Sequence, residues 1–195
     1  MVIFTLLFTL LTGIFAPAPT TVLLPAKAAK DNNSHKVGHK NNGTLAWSPS
    51  RRLSWEDFKG NPDDGNPHHA LTAANLAVDA KCKNDRFEYN VTCVFLPTES
   101  WSKNKKSDKL LFHEQLHFDL TEVHARLLRK KLQKIGSSCS NVKTTMTPAV
   151  NQVFKEWKAE QDLFDKKSNH GLNSDVQQEW AANIEKRLQE LEAYK

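Results

Sequence analysis

Cysteine is scarce in this chain: Cys82, Cys93 and Cys139 are the only three in 195 residues, and their spacing fits no zinc finger. They leave room for one disulfide and one free thiol in an exported protein, and the spacing does not say which two pair. Long apolar runs are missing too. The run at the start, Val2 to Phe15, is followed by Pro17 and Pro19 and is too short to span a bilayer comfortably. No cysteine lies near its end, so a lipoprotein-type anchor is unsupported. There is no internal repeat, no interleaving of aromatic with basic residues and no groove-reading motif. The net charge of +5 and pI near 9.1 therefore do not point to nucleic acid. Positive charge is spread over Lys103, Lys105, Lys106, Lys109 and the stretch from Arg129 to Lys134. On a helix Arg129, Lys130 and Lys131 point to different sides, which is the pattern of a solvated face.

What is present at the start reads as an export signal. The apolar run fits the h-region of a secretory leader, and Ala26-Lys27-Ala28 places small residues at both recognition positions. Cleavage is expected after Ala28, making residues 1–28 a signal peptide and the mature protein secreted, periplasmic or extracellular, without stable membrane insertion. No Lys or Arg precedes the run, which keeps a retained anchor as the alternative. Residues 29–50 are polar and almost without apolar periodicity, and are expected to form a disordered spacer holding His35 and His39 in solvent. The folded domain is expected over residues 51–195.

Two kinds of periodicity divide that domain. Apolar residues alternate through Leu71, Ala73, Leu76, Val78, Ala80 and Cys82, and again through Phe87, Tyr89, Val91, Cys93 and Phe95. Lys83-Asn84-Asp85-Arg86 separates the runs, so the segment predicts a β-hairpin with Cys82 opposite Phe87 and not facing Cys93. Helical spacing follows. Ser107 is an expected N-cap and Gly136 a stop, with Leu116, Leu120, Val123 and Leu127 as a buried stripe between them. A second helix is expected from Thr147 as cap and Pro148 at its first position to about Phe164. A third opens at Ser174 with Gln177 in a capping-box pattern and runs towards Tyr194. The fold class is α+β: a small antiparallel sheet or hairpin packed with three helices. Trp55, Phe58 and Trp101 are expected in the core, and His68 and His69 in a surface turn.

The longest helix carries the chemistry. In "HEQLH", His113 and His117 lie one turn apart on one face, where two imidazoles can share a tetrahedral metal. Glu114 is turned about 100° from His113 and can reach a metal-held water without ligating. This is the H-E-x-x-H pattern of zinc peptidases. Glycine is absent where a metzincin would break the helix, so His124 falls about 10 Å beyond His117 and is expected to be structural. Asp119 and Glu122 face away from the histidine pair. They are expected to support it or to form salt bridges, Glu122 with Arg126. The third ligand is sought downstream, in "QDLFDKKSNHGLN". His170 is the first candidate, Asp165 the next, then Glu156 or Glu160. If Asp165 is the ligand, His170 becomes the candidate for binding an oxyanion.

The segments "LSWEDFKGNP", "ESW", "HEQLHFDLTEVHAR" and "QDLFDKKSNHG", with Gln178 and Trp180, resemble an uncharacterised bacterial family of secreted zinc-dependent proteases within the zincin group. The family more often has Tyr at the place of Phe164 and Thr at the place of Ser168. The resemblance implies a zincin-like fold and names no substrate. The expected function is a secreted zinc metallopeptidase, with Zn2+ held by His113, His117 and His170, Glu114 as general base, and a protein or peptide as substrate. The hairpin edge could pair with an extended substrate. A zinc-binding envelope protein with a vestigial protease site, an inert scaffold, and hydrolysis of amides in cell-wall peptides are the alternatives.

Overall fold

The computed structural model describes residues 43–62, 64–136 and 138–195. The leader and most of the spacer lie outside the described residues. The structure is α+β. Strands β1 (Leu45–Ala46), β4 (Arg86–Phe95) and β3 (Ala74–Lys83) form an antiparallel sheet in that order, and β2 (Ala70–Leu71) pairs with β5 (Trp101–Ser102) in a second. The helices are α1 (Asp108–Ile135), α2 (Thr147–Ser168) and α3 (Ser174–Glu190).

The β3–β4 hairpin has the expected register, Lys83 opposite Arg86 and Cys82 opposite Phe87. Its turn needs two residues at positive φ, and Asn84 and Asp85 take 51° and 58°, where short polar side chains are tolerated. The alternation buries Phe87, Val91, Cys93 and Phe95. Cys82 is bonded to Cys139, 57 residues on, and Cys93 is a buried free thiol.

Three boundaries differ from the sequence expectation. Residues from Gly43 to Ser50, assigned to the spacer, belong to the domain. Leu45 and Ala46 pair with Phe95 and Val94, and the Trp47 indole donates to Asp119 Oδ1 at 2.8 Å, contacts that periodicity cannot register. Helix α2 continues one turn past Phe164 to Ser168 and ends on Asn169 in the left-handed conformation. The cap of α3 is Asn173, whose side chain accepts from Val176 N, so Ser174 and Gln177 form no capping box.

Helix α1 is the axis of the fold. Its ends are as expected, with Ser107 Oγ accepting from Leu110 N and Gly136 closing it at φ 83°. Every residue from His113 to Arg126 is buried. On one side Phe118, Ala125 and Leu128 pack with the sheet and with Val150, Val153 and Trp157 of α2. On another Leu116, Leu120 and Val123 meet Phe164, Ile184 and Leu188. Phe58 and Trp101 are buried and Trp55 packs against the core. Truncating a fully buried residue such as Leu120 to Ala costs about 2–5 kcal/mol. Polar groups on a helix so enclosed are costly unless they are paired. Arg126 accordingly binds Glu122, Glu192 and the Leu188 carbonyl.

Candidate metal centre

His113 and His117 project from one face of α1 towards α2, which presents Gln161 and Asp165 one turn apart. The pairing of His113 with Asp165 and of His117 with Gln161 means the two helices pass in opposite directions. His113 Nε2, His117 Nε2 and Asp165 Oδ1 converge. The nitrogens are 3.1 Å apart, and Asp165 Oδ1 is 3.1 Å from His113 Nε2 and 3.0 Å from His117 Nε2. Among the described residues this is the one buried group able to hold a metal ion. The edges of a tetrahedron around zinc with bonds of 2.0–2.1 Å are about 3.3–3.4 Å, so the triangle is close to the required size.

The opposite nitrogen of each ring is fixed by a glutamine. Gln161 Nε2 donates to the His117 carbonyl at 3.0 Å and to Thr121 Oγ1 at 3.1 Å. Only an N–H can serve that carbonyl, so Gln161 Oε1 faces His117 Nδ1, at 2.5 Å, and Nδ1 carries the proton. Gln177 Oε1 lies 3.1 Å from His113 Nδ1 in the same role. Both rings then turn an Nε2 lone pair towards the Asp165 carboxylate, and a cation or protons must offset three such donors. Where protons take that place on Nε2, the titration tendencies describe the result. Burial alone would raise the Asp165 carboxyl, but its hydrogen bonds with His113 and His117 outweigh this and hold it far below the usual range. Burial disfavours charge on both imidazoles; it prevails at His113, whose pKa is lowered, while Asp165 overrides it at His117, whose pKa is raised.

Packing sets the ring planes. Phe164 stacks on His113 at 4.8 Å and meets His117 edge-on at 4.9 Å. Gly171 lies directly on His113: a Cβ there would stand 3.0 Å from His113 Cγ, and its φ of 81° excludes most side chains. Glu114 lines the cleft beside the triangle. It is only 4 % exposed, yet no hydrogen bond or ion pair among the described residues holds its carboxylate.

The remaining candidates are placed elsewhere. His170, expected as the third ligand, is not in the cluster; its Nδ1 lies 3.5 Å from Asp165 Oδ1 and its side chain is 52 % exposed. Asp165 stands in that position because α2 continues past Phe164. Asp119 accepts from Trp47, Arg52 and Gln115, which ties the amino-terminal segment to α1. Glu122 pairs with Arg126 and Arg129. Glu160 bridges His124 and Arg187, and Glu156 pairs with Lys131. His68 is more than a surface-turn residue, since its ring meets that of His170 edge-on at 4.9 Å. The places of Gln161 and Gln177 beside the histidine rings escaped the sequence reading. The four-residue step from Gln161 to Asp165, matching that from His113 to His117, is the signal that could have found the first.

The family model described as a bacterial protein of unknown function (DUF922) matches residues 43–171. No curated protein and no solved structure matches the chain.

Proposed function

The chain belongs to the DUF922 family of bacterial proteins of unknown function, and we propose that it is a zinc-dependent peptidase. His113, His117 and Asp165 would hold the metal, and Glu114 would act as general base. The observation that carries this reading is the 3.0–3.1 Å triangle of donors beside a buried carboxylate with no partner among the described residues. Two imidazoles and one carboxylate suit a hydrolytic zinc site, which keeps a fourth position open. Zinc bound there would supply a Lewis acid and lower the pKa of a coordinated water towards about 7.

The chain's own groups supply the rest. Glu114 accepts a proton from the attacking water as the water oxygen bonds to the peptide carbonyl carbon, and returns it to the amine as the C–N bond breaks. His170, half-exposed beside Asp165, is placed to donate a hydrogen bond to the oxygen that becomes negative. Gln161 and Gln177 hold the ligand rings in the required tautomer. The resemblance to secreted zinc-dependent proteases supports the same reading. Export is supported by the Cys82–Cys139 disulfide, which is stable in oxidising compartments.

Metal analysis of the purified protein with a peptide-library digest tests this. About one zinc per chain is expected, and Glu114→Gln should keep the zinc and lose at least about a hundredfold in hydrolysis. Zinc bound without cleavage of any peptide would make the protein a zinc-binding envelope component instead.

A further inference from the structure

The cleft over the metal centre has a volume of about 380 Å3 and two unlike halves. One is the reaction half, lined by two of the donors, His113 and Asp165, with Glu114, His68 and His170. The other is walled by Pro67, Ala70, Leu110 and Leu172. Three polar groups of the lining are already bonded within the chain. Asn104 Oδ1 accepts from Lys106 N, Ser107 Oγ caps α1 through Leu110 N, and Lys109 Nζ donates to the Leu172 carbonyl at 2.9 Å.

Leu172 stands out in this second half. It is 70 % exposed, and Leu163 is the other large exposed apolar residue among those described. Its backbone is fixed at both ends, N donating to Asn169 O and O accepting from Lys109. The turn that presents it uses three successive positive-φ residues, Asn169, His170 and Gly171. For Asn and His this is a sparsely populated conformation, which surroundings must impose. An apolar side chain so held at the rim of a concave apolar surface marks a binding wall. The wall is also correctly spaced from the chemistry. Leu110 precedes Glu114 by one helical turn, about 6 Å along the axis, and an extended peptide advances about 3.3 Å per residue. A side chain within about two residues of the bond that Glu114 serves can therefore reach Leu110.

We infer that this half of the cleft is a specificity pocket for one large apolar side chain, of the Leu or Phe class, within about two residues of the scissile peptide bond. The inference rests on the peptidase reading for its reaction but not for its binding, so two measurements separate them. In the first, the zinc-loaded protein is titrated calorimetrically with N-acylated amino-acid hydroxamates, which chelate zinc irrespective of turnover. Leu and Phe hydroxamates should bind at least about tenfold more tightly than the Gly and Asp compounds. Leu172→Ser should remove most of that advantage while zinc content stays at the wild-type level. Equal affinities across the series, or a preference for Asp, would overturn the pocket. In the second, a randomised peptide pool is digested and the cut sites are read by mass spectrometry. Cuts confined to one side of a large apolar residue support the pocket, and cuts without side-chain preference refute it while leaving the peptidase standing. Apolar-selective hydroxamate binding with no cleavage keeps the pocket and refutes the peptidase.

Discussion

Glu114 and Glu122 lie two turns apart on one helix and are almost equally buried, yet their surroundings are opposite. Glu122 is neutralised by Arg126 and Arg129, whereas Glu114 has no partner among the described residues and faces the cleft. A buried carboxylate without a counter-ion costs stability, and such a cost is tolerated where the group has a task. Asp165 and His170 make a comparable contrast, five residues apart and touching. Asp165→Asn should weaken zinc binding by at least about a hundredfold, because it replaces a charged donor at the centre of the triangle. His170→Ala should change zinc affinity only a few-fold and lower kcat, since His170 stands outside the triangle. Competition against a fluorescent zinc chelator measures the first quantity and single-turnover hydrolysis the second. Loss of zinc from the His170 variant with retention in the Asp165 variant would return His170 to the role expected from sequence.

At the scale of elements, α1, α2 and α3 are joined by Glu160, which accepts from His124 at 2.7 Å and from Arg187 at 2.5 and 3.0 Å. Burial acts to raise the Glu160 carboxyl, but these partners prevail and lower it from 4.5 to about 2. A carboxyl whose folded pKa is depressed stabilises the fold fully above its unfolded value and loses that contribution as pH falls through the folded one. Glu160 should thus contribute on the order of 1–2 kcal/mol at pH 7, discounted for its partial exposure. The contribution should fade between about pH 4.5 and 2. Urea unfolding of wild type and Glu160→Gln checks this: their difference should narrow as pH drops, and a constant gap would contradict it. The elements themselves were unequally legible. The ends of α1 and the hairpin register follow from caps, period and turn residues, which act locally. The last turn of α2 did not, because Asp165, Lys166, Lys167 and Ser168 carry no apolar signal. That turn is stabilised by what it faces, His113 and His117, which are some fifty residues away in sequence. The same blindness hid β1, two residues long and paired only with β4. At the site, "HEQLH" pointed to two donors of the cluster and to the carboxylate beside them, while the third donor depended on where α2 stopped.

For the whole molecule, the candidate metal centre and the disulfide lie far apart. The ligand helices meet near the start of α1, while Cys139 follows its far end, about 30 Å along the axis from His117. Cys82→Ser should therefore lower unfolding free energy by roughly 2–4 kcal/mol and leave zinc affinity unchanged. Zinc should raise the Tm of both wild type and this variant in proportion to its excess over Kd. Calorimetry with and without chelator measures both effects, and zinc affinity falling with the disulfide would show that the two are coupled. The bond between Cys82 and Cys139 also closes a covalent ring that contains the hairpin turn, β4 and all of α1. If the proposed peptidase activity holds, the protein stored at high concentration is exposed to its own copies. A nick anywhere from Lys83 to Ser138 would open the backbone without releasing either fragment. Such a clipped molecule would run as one intact band on a non-reducing gel and as two under thiol, so purity judged without reductant would overlook autolysis inside the ring.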